Sequence, residues 1–570
     1  MITAGSLRLR KIKFLSGKKG AGVIPLEINL GKVLIIVGPN NSGKSLALRE
    51  IEGWCSGQDN PRKVVDKIEV DFPDDPDYAL QLLREFETAP PQDRVPQPNI
   101  LWVGQHVFNT GQGPRVMEVN IDSFKSGIQA QEPNMLRSHL SSFYTVRLDG
   151  RTRFSLVDEK PAGDLQTLPQ NHLWALFRDD TSRNRVRELT EDAFGVHFVI
   201  DPTGMQIFRI RLSNRAPASK IEEQGLDDTA RKFHSEAIPI KEFSDGVQAF
   251  VGLISAVLSL KHRIILLDEP EAFLHPPLAR RLGVSMSKIA AERDASLLVS
   301  THSADFVMGC LQGEKDISVV RLTFEDNIAT ARVMNSTGLI TMMYDPLLRS
   351  TGELRALFHR AVIVGESDTD RAFYDEMNRR LELENRGIKD ALFLNGQNKQ
   401  TVYRLVAPLR RLGIPAAVIV DLDMIKESGT NWENLLQACE VDSSLWSGLE
   451  SLRSDLKNAF DSLPGSSSGP DPMKRQGLDA LDSTNKNKGE ILIKELSTFG
   501  IFLVPKGELE SWLAHLGISG HGPDWLVPLF SIIGQSEADH NYLAPGSDDV
   551  WSFLDKVSIW TQNANRLGTA

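Results

Sequence analysis

The chain has 570 residues, 41% hydrophobic and 24% charged, with a formal net charge of −11. This is the balance of an ordinary soluble globular protein, and the length exceeds what one hydrophobic core serves, so two or more domains are expected. The three cysteines, Cys55, Cys310 and Cys439, lack paired spacing, which argues against a zinc site or disulfide framework and fits a reducing compartment.

No run is apolar for long enough to cross a bilayer, and MITAGSLRLRKIKF lacks the apolar core of a signal peptide, so a cytoplasmic location with no membrane contact is expected. The acidic balance does not advertise a nucleic-acid binder. DNA contact would need local basic patches, for which Arg151 with Arg153, Arg410 with Arg411, and Lys474 to Lys494 are candidates. Each reads first as a solvated face and only second as a binding patch.

The first recognisable element is VLIIVGPNNSGKS (33–45), an apolar strand, a glycine-rich turn and a helical start. It fits G-x-x-x-x-G-K-[ST] through Gly38, Gly43, Lys44 and Ser45, with Asn40, Asn41 and Ser42 inside the loop. Backbone N–H groups of such a loop wrap phosphates, the lysine reaches the β- and γ-phosphates, and the hydroxyl ligates Mg²⁺; ATP or a related nucleotide is the expected ligand. Gln105, after ILWVG, is a candidate for the glutamine that senses nucleotide, and equally a polar loop residue without a role. HLWALFRDDTSRNRVRELTEDAF supplies one or two helices, and HFVIDPTGMQIFRIRLS reads as a hairpin turning at Pro202, Thr203 and Gly204. This stretch, about 150–235, is read as a small insertion concerned with dimer contacts. EFSDGVQ resembles the signature loop of ABC-type ATPases, which implies that Ser244 and Gly246 touch the γ-phosphate of an opposite subunit. It departs from LSGGQ in Asp245 and in the late position of Gln248. RIILLDEPEAFLHP then gives a central strand with Asp268 for Mg²⁺ and Glu269 to polarise water, and SLLVSTHSADF gives a second strand ending in His302, placed to sense the γ-phosphate. The motif order looks like the ABC-type class that includes SMC and Rad50 heads. The chain lacks the length and heptads of a coiled-coil arm.

Beyond a junction at 355–359, strands and helices alternate: AVIVG, TDRAFYDEMNRRLELE, ALFLNG, KQTVYRLVAPLRRLG, AAVIVD. That alternation implies a parallel α/β sheet, with active groups at the carboxyl ends of its strands. Glu366 and Asp370 follow the first strand there, and Asp421 and Asp423 follow the third. Alternate strand residues share a face, so the last two can point at one site. Convergent carboxylates suit Mg²⁺ or Mn²⁺ and phosphodiester cleavage. Acids at strand ends also occur as plain solvated loop residues. PGSSSGPDP (464–472) reads as an exposed loop.

With these motifs in order, the chain resembles the OLD (overcoming lysogenisation defect) family, an ABC ATPase fused to a Toprim nuclease, a group that includes the nuclease subunit of Gabija defence systems. The family pattern E-G-x-[ST]-[DE]-x-x-F fits residues 366–373, with Ser367 where glycine is usual, and Asp421 and Asp423 match its D-x-D. The resemblance implies further ligands at Glu508 and Glu510 in VPKGELESWL and a functional lysine at Lys556 in VWSFLDKVSIW. It implies an ATPase domain over 1–354 and a Toprim domain over 355–570. It also implies a homodimer or tetramer, DNA as substrate, and a partner protein such as a helicase or reverse transcriptase in antiviral defence. Toprim domains also serve topoisomerases and primases, but no DNA-gate domain or primase-like arrangement is legible. The other reading is an ATPase sensor or scaffold whose Toprim domain cuts little.

Overall fold

The computed structural model describes residues 7–15, 25–91, 93–105, 115–167, 169–259, 261–325, 328–334, 336–344, 353–464, 471–563 and 565–569. They divide into two compact units, Met1–Ser336 and Thr337–Ala570. Residues 1–6 of the N-terminal stretch and 465–470 of the expected Ser/Gly-rich loop lie outside the described residues.

The first unit is built on a six-stranded sheet of β1 (Val33–Val37), β2 (Thr145–Leu148), β3 (Ile264–Asp268), β4 (Ser296–Ser300), β5 (Ile317–Glu325) and β6 (Ile328–Met334), in the order β6-β5-β1-β4-β3-β2. Five strands are parallel and only the edge strand β6 runs antiparallel. Strands covered on both faces need apolar side chains at every position rather than at alternate ones. VLIIV in β1 is buried throughout, and IILL in β3 likewise. Helix α1 (Lys44–Cys55) leaves the carboxyl end of β1. It is covered by an antiparallel sheet of Glu27–Asn29, Arg8–Phe14 and Val65–Asp71, whose Leu9, Ile12, Phe14 and Ile68 share one core with Leu34, Ile36, Leu48 and Ile51.

The middle stretch forms two helices, His172–Arg178 and Asp180–Phe194, and an antiparallel hairpin of His197–Asp201 with Ile207–Ser213. Asp201, fully buried, anchors that hairpin through Arg211 at 2.7 Å, Arg209 at 3.0 Å and the Thr203 hydroxyl at 2.6 Å. Helix α2 (Asp245–Ser259) follows, packed on both of those helices.

The second unit carries a fully parallel sheet of β7 (Ala361–Gly365), β8 (Ala391–Asn395), β9 (Ala416–Val420) and β10 (Ile501–Leu503), ordered β8-β7-β9-β10. Helix α3 (Asp368–Leu383) joins β7 to β8, and α4 (Val402–Arg411) joins β8 to β9. Among the described residues only helices separate β9 from β10, and α5 (Asp549–Gln562) lies near the C-terminus. Phe373, Met377, Phe502, Trp512, Trp525, Phe553 and Trp560 share one core of this unit. Arg410 is not a DNA-facing cation. It is completely buried, and its guanidinium donates to the carbonyls of Ala416, Cys439, Phe499, Gly500 and Gly568. A buried charge must be satisfied in this way, so the residue ties several segments together where a surface patch was expected. Lys474, Lys486 and Lys488 are likewise engaged, with Glu508, Asp479 and Asp455.

Candidate functional site

In the first unit the phosphate loop is shaped by residues that accept positive φ: Gly38 at 143°, Asn41 at 62° and Gly43 at 93°. A Cβ on Gly38 would sit 2.1 Å from the Leu322 carbonyl, so the loop closes on β5 only with glycine there. Lys44 is folded into the loop, donating to the carbonyls of Gly38 (2.9 Å) and Pro39 (2.7 Å). Ser45 donates to Asp268 at 2.8 Å, and Ser300 donates to the same carboxylate oxygen. The hydroxyl and carboxylate expected around a nucleotide-bound cation are therefore already together. Glu269 holds φ at 50° with its N–H on the Ser300 carbonyl, and its carboxylate lies 3.6 Å from His302 Nε2.

Sequence reasoning missed two supporting residues here. Arg153, 1% exposed, is no surface cation. It donates to the carbonyls of Asp268 (2.8 Å), Glu269 and Ala272 (3.2 Å), bracing the turn that carries both acids. Glu271 accepts the His302 N–H at 2.8 Å, and burial raises its pKa. Nothing in a one-dimensional pattern distinguishes a buried arginine in a polar turn from an exposed one. Ser244 is exposed at the start of α2, while Gly246 lies under the Phe273 carbonyl. Gln105 ends the strand Ile100–Gln105, and its side chain is outside the described ones.

In the second unit the carboxyl ends of the strands gather the acids. Gly365 ends β7, where a Cβ would meet the Asp370 side chain at 2.8 Å; its absence lets α3 start hard against the strand. Ser367 caps α3 with ordinary extended backbone (φ −142°), accepts the Asp370 N–H at 3.2 Å and donates to the Asp370 carboxylate at 2.5 Å. Glu366 accepts the Asp421 N–H at 2.8 Å, which joins the first motif to the second. Asp421 and Asp423 are not alternate residues of an extended strand. β9 ends at Val420 and the chain turns into a 3-10 segment over Leu422–Lys426, because the Leu422 N–H bonds to Gly507 and the Met424 N–H returns to Asp421. The turn places both acids beside Glu366, whose charge they oppose.

The electrostatics follow from that crowding. Burial, with help from Asp423 and Asp370, pushes Glu366 up to about 7. Burial, with help from Glu366, Asp370, Asp423 and Glu508, pushes Asp421 up to about 9. Asp370 is also raised, by burial and by Glu510. One oxygen of Asp421 is buried without a hydrogen-bond partner. An orphaned carboxylate oxygen amid like charges fits a divalent cation: the donors are hard oxygens, and a cation would relieve both the repulsion and the unmet acceptor.

Two lysines face this cluster, Lys399, which the sequence did not single out, and Lys474, which it offered only as part of a basic stretch. Lys399, in the loop after β8, lies 2.9 Å from Asp423 and 3.7 Å from Glu427. Lys474 lies 3.2 Å from Glu508. Glu508 and Glu510 are joined by His521, and each of the three offers a ligand atom within 4.8 Å of the others. Beneath the acids, Trp512 donates its indole N–H to the buried Tyr374 hydroxyl at 3.0 Å. Among the described residues no ion pair joins Lys556 to the cluster. It is exposed on α5, where Asp555 pairs with Arg386 at 2.7 Å and Ser558 bonds to the Arg386 and Gly387 carbonyls. Those residues follow the end of α3 opposite to Asp370, and along a helix of 16 residues that is about 20 Å away.

Residues 174–309 match an AAA-domain family whose description names the AbiEii toxin of type IV toxin–antitoxin systems. Residues 357–423 match the family "Overcoming lysogenization defect protein-like, TOPRIM domain". The chain is similar to the "Probable amino-acid ABC transporter ATP-binding protein" of Sinorhizobium fredii (strain NBRC 101917 / NGR234), 33% identical over 94 residues, which is 16% of this chain and 34% of that protein. The match thus spans about a third of that curated relative. Among solved structures, an SMC head bound to the C-terminal winged-helix domain of ScpA is 14% identical, covers 57% of this chain and 98% of its own, and superposes with a TM-score of 0.32. The SMC head domain from Thermotoga maritima is 14% identical, with 57% and 99% covered and a TM-score of 0.29. The fold is therefore α/β: a P-loop ATPase domain, followed by a Toprim domain with a parallel sheet. No helix among the described residues is long and apolar enough to cross a membrane.

Proposed function

We propose that this chain is an OLD-type, ATP-binding and nucleotide-regulated endonuclease that hydrolyses DNA phosphodiesters with Mg²⁺ or Mn²⁺ in antiviral defence. The observation that carries the reading is the cluster of Glu366, Asp370, Asp421 and Asp423 at the carboxyl edge of the parallel sheet, with an unpartnered Asp421 oxygen inside it. Bound there, divalent cations would supply positive charge to the attacking and leaving oxygens of an in-line displacement. The chain's own part is to hold the carboxylates in register. Glu366 is oriented by the Asp421 N–H, Asp370 by Ser367, and Asp423 and Glu508 by Lys399 and Lys474. Both lysines are within reach of a phosphate drawn to this edge, and they are better placed than Lys556 to meet its charge.

The same reading takes 1–354 as the ATPase region and 355–570 as the nuclease region. ATP is held by Gly38 to Ser45 with Asp268, and its hydrolysis is assisted by Glu269 and His302. Ser244 and Gly246 serve a second subunit in a homodimer or tetramer. A helicase or reverse-transcriptase partner and a cytoplasmic setting belong to this reading through the family resemblance alone. The experiment is plasmid cleavage in Mn²⁺: Asp421→Ala and Glu366→Ala should each abolish cutting while nucleotide binding is kept. Undiminished cutting by both variants removes the Toprim site from the mechanism.

A further inference from the structure

Most groups in the carboxylate cluster are oxygen donors, which suit Mg²⁺ and Mn²⁺ alike. His521 is different. Its Nδ1 lies 2.7 Å from Glu510 Oε1, and its imidazole side chain is 81% exposed, so an incoming ion can reach it without displacing protein. The same Glu510 oxygen also accepts the Gly522 N–H at 2.7 Å, which fixes it against this loop. The segment that presents the imidazole is built for that position. Gly520 (φ 139°) and Gly522 (φ 58°) flank His521 in conformations that side chains avoid, and a Cβ on Gly520 would sit 2.9 Å from Asp524 backbone atoms. The Gly522 Cβ position lies 3.8 Å from the Thr369 hydroxyl, next to Asp370, so this loop is set against the start of α3, where the acids gather.

Two further observations mark this corner as a place for positive charge. Lys474 already sits 3.2 Å from Glu508, and Glu510 opposes the buried Asp370. Three ligand atoms from Glu508, Glu510 and His521 lie within 4.8 Å of one another, close enough to share one ion. Imidazole nitrogen favours first-row transition ions over Mg²⁺, which binds nitrogen poorly and keeps its water.

We infer that Glu508, Glu510 and His521 form a cation position of mixed oxygen and nitrogen character that takes a divalent transition ion, such as Mn²⁺, in preference to Mg²⁺. The inference rests on reading the domain as a metal-dependent nuclease, and it adds a ligand and a metal preference to that reading. His521 would act as a ligand by its own nitrogen, and its loop glycines by holding it there.

The test uses the full-length chain without nucleotide, titrated with Mn²⁺ and separately with Mg²⁺ by calorimetry, alongside pulsed electron paramagnetic resonance of the Mn²⁺-loaded protein to detect coupling to ¹⁴N. Wild type should show imidazole ¹⁴N coupling. His521→Ala and His521→Asn should lose it and bind one class of Mn²⁺ about tenfold more weakly, with Mg²⁺ binding within about twofold of wild type. Coupling that persists in both variants, or Mn²⁺ binding unchanged in both, overturns the inference. Asp421→Ala separates this from the parent reading. If Asp421→Ala loses cation binding and DNA cleavage while the His521 variants bind Mn²⁺ as wild type does, only the inference falls. If Asp421→Ala keeps all Mn²⁺ binding and cleavage, the Toprim site is removed from the mechanism and the parent reading of this cluster falls.

Discussion

Asp421→Asn should make the cation-free protein more stable. The Asp421 carboxyl moves from 3.8 to about 9 because burial and four neighbouring acids oppose its charge. With a raised folded-state value, the folded chain keeps a proton that the unfolded chain releases between those two values. Stability therefore falls as pH rises through that window and levels off above about 9. At pH 7 the full linkage would amount to about 4 kcal/mol, at 1.36 kcal/mol per unit over the interval from 3.8. Glu366, pushed up to about 7, shares the same repulsion, and entering water relieves part of it, so about 2 kcal/mol is the expected gain for the variant. An amide has the same shape and can donate to the surrounding carboxylates. The assay is urea unfolding followed by tryptophan fluorescence, in EDTA and in Mn²⁺, from pH 5 to pH 8; Trp512 and Trp525 lie in the core of this domain. The gain should shrink toward pH 5. Mn²⁺ should stabilise wild type by about 2–3 kcal/mol at a hundredfold excess over its dissociation constant and the variant by clearly less. A variant less stable than wild type in EDTA at pH 8, or an effect that does not vary with pH, would refute the electrostatic account of the cluster.

Lys44→Ala should lose ATP binding, and Glu269→Gln should bind ATP but hydrolyse it slowly; if nucleotide state gates the nuclease, the two should shift DNA cleavage differently across ATP concentrations, and identical cleavage throughout would show the domains to be uncoupled. Arg153→Met should leave ATP affinity within about threefold but lower hydrolysis at least about tenfold, because three carbonyls of the Asp268–Ala272 turn lose their donor; unchanged turnover would make the arginine merely structural. Completely buried His172, depressed by burial to about 4, should stabilise its domain fully above pH 6.5 and lose up to about 3 kcal/mol as pH falls toward 4, a loss that His172→Gln should not show in calorimetric scans. Sedimentation should show at least a dimer at micromolar concentration, and monomer alone with and without ATP would count heavily against the signature-loop role of Ser244.

What was legible in the sequence is what short-range chemistry dictates. VLIIVGPNNSGKS is a buried strand, a left-handed loop and a helix start, and each residue type is needed where it stands: a Cβ at Gly38 would clash, and Asn41 tolerates positive φ. AVIVG and AAVIV read as parallel strands because burial on both faces requires unbroken apolar runs. The acids at their ends converge, but Asp421 and Asp423 do so through a turn held by Gly507, a residue more than eighty positions away. Strand periodicity gave the right partners for a geometry that is not a strand. The cations were illegible for the same reason. Lys399 and His521 lie in loops and Lys474 in the short helix Pro472–Gln476; what they share is the group of acids they approach, and a single lysine or histidine carries no signature of that. Arg153 and Arg410 show the reverse error: paired basic residues look like a surface patch until the fold buries one of them under backbone carbonyls. Lys556 was carried by resemblance to the helix it occupies, and the hydrogen bonds of Asp555 and Ser558 hold that part of the helix at the far end of α3. We propose Lys399 and Lys474 for the role that the resemblance gives to Lys556. Lys399→Ala and Lys474→Ala should each reduce cleavage at saturating Mn²⁺ by about tenfold or more, whereas Lys556→Ala should stay within about twofold of wild type. Should Lys556→Ala alone be inactive with its fold intact, the cluster would be only half of the site, and Lys399 and Lys474 would hold carboxylates without meeting substrate.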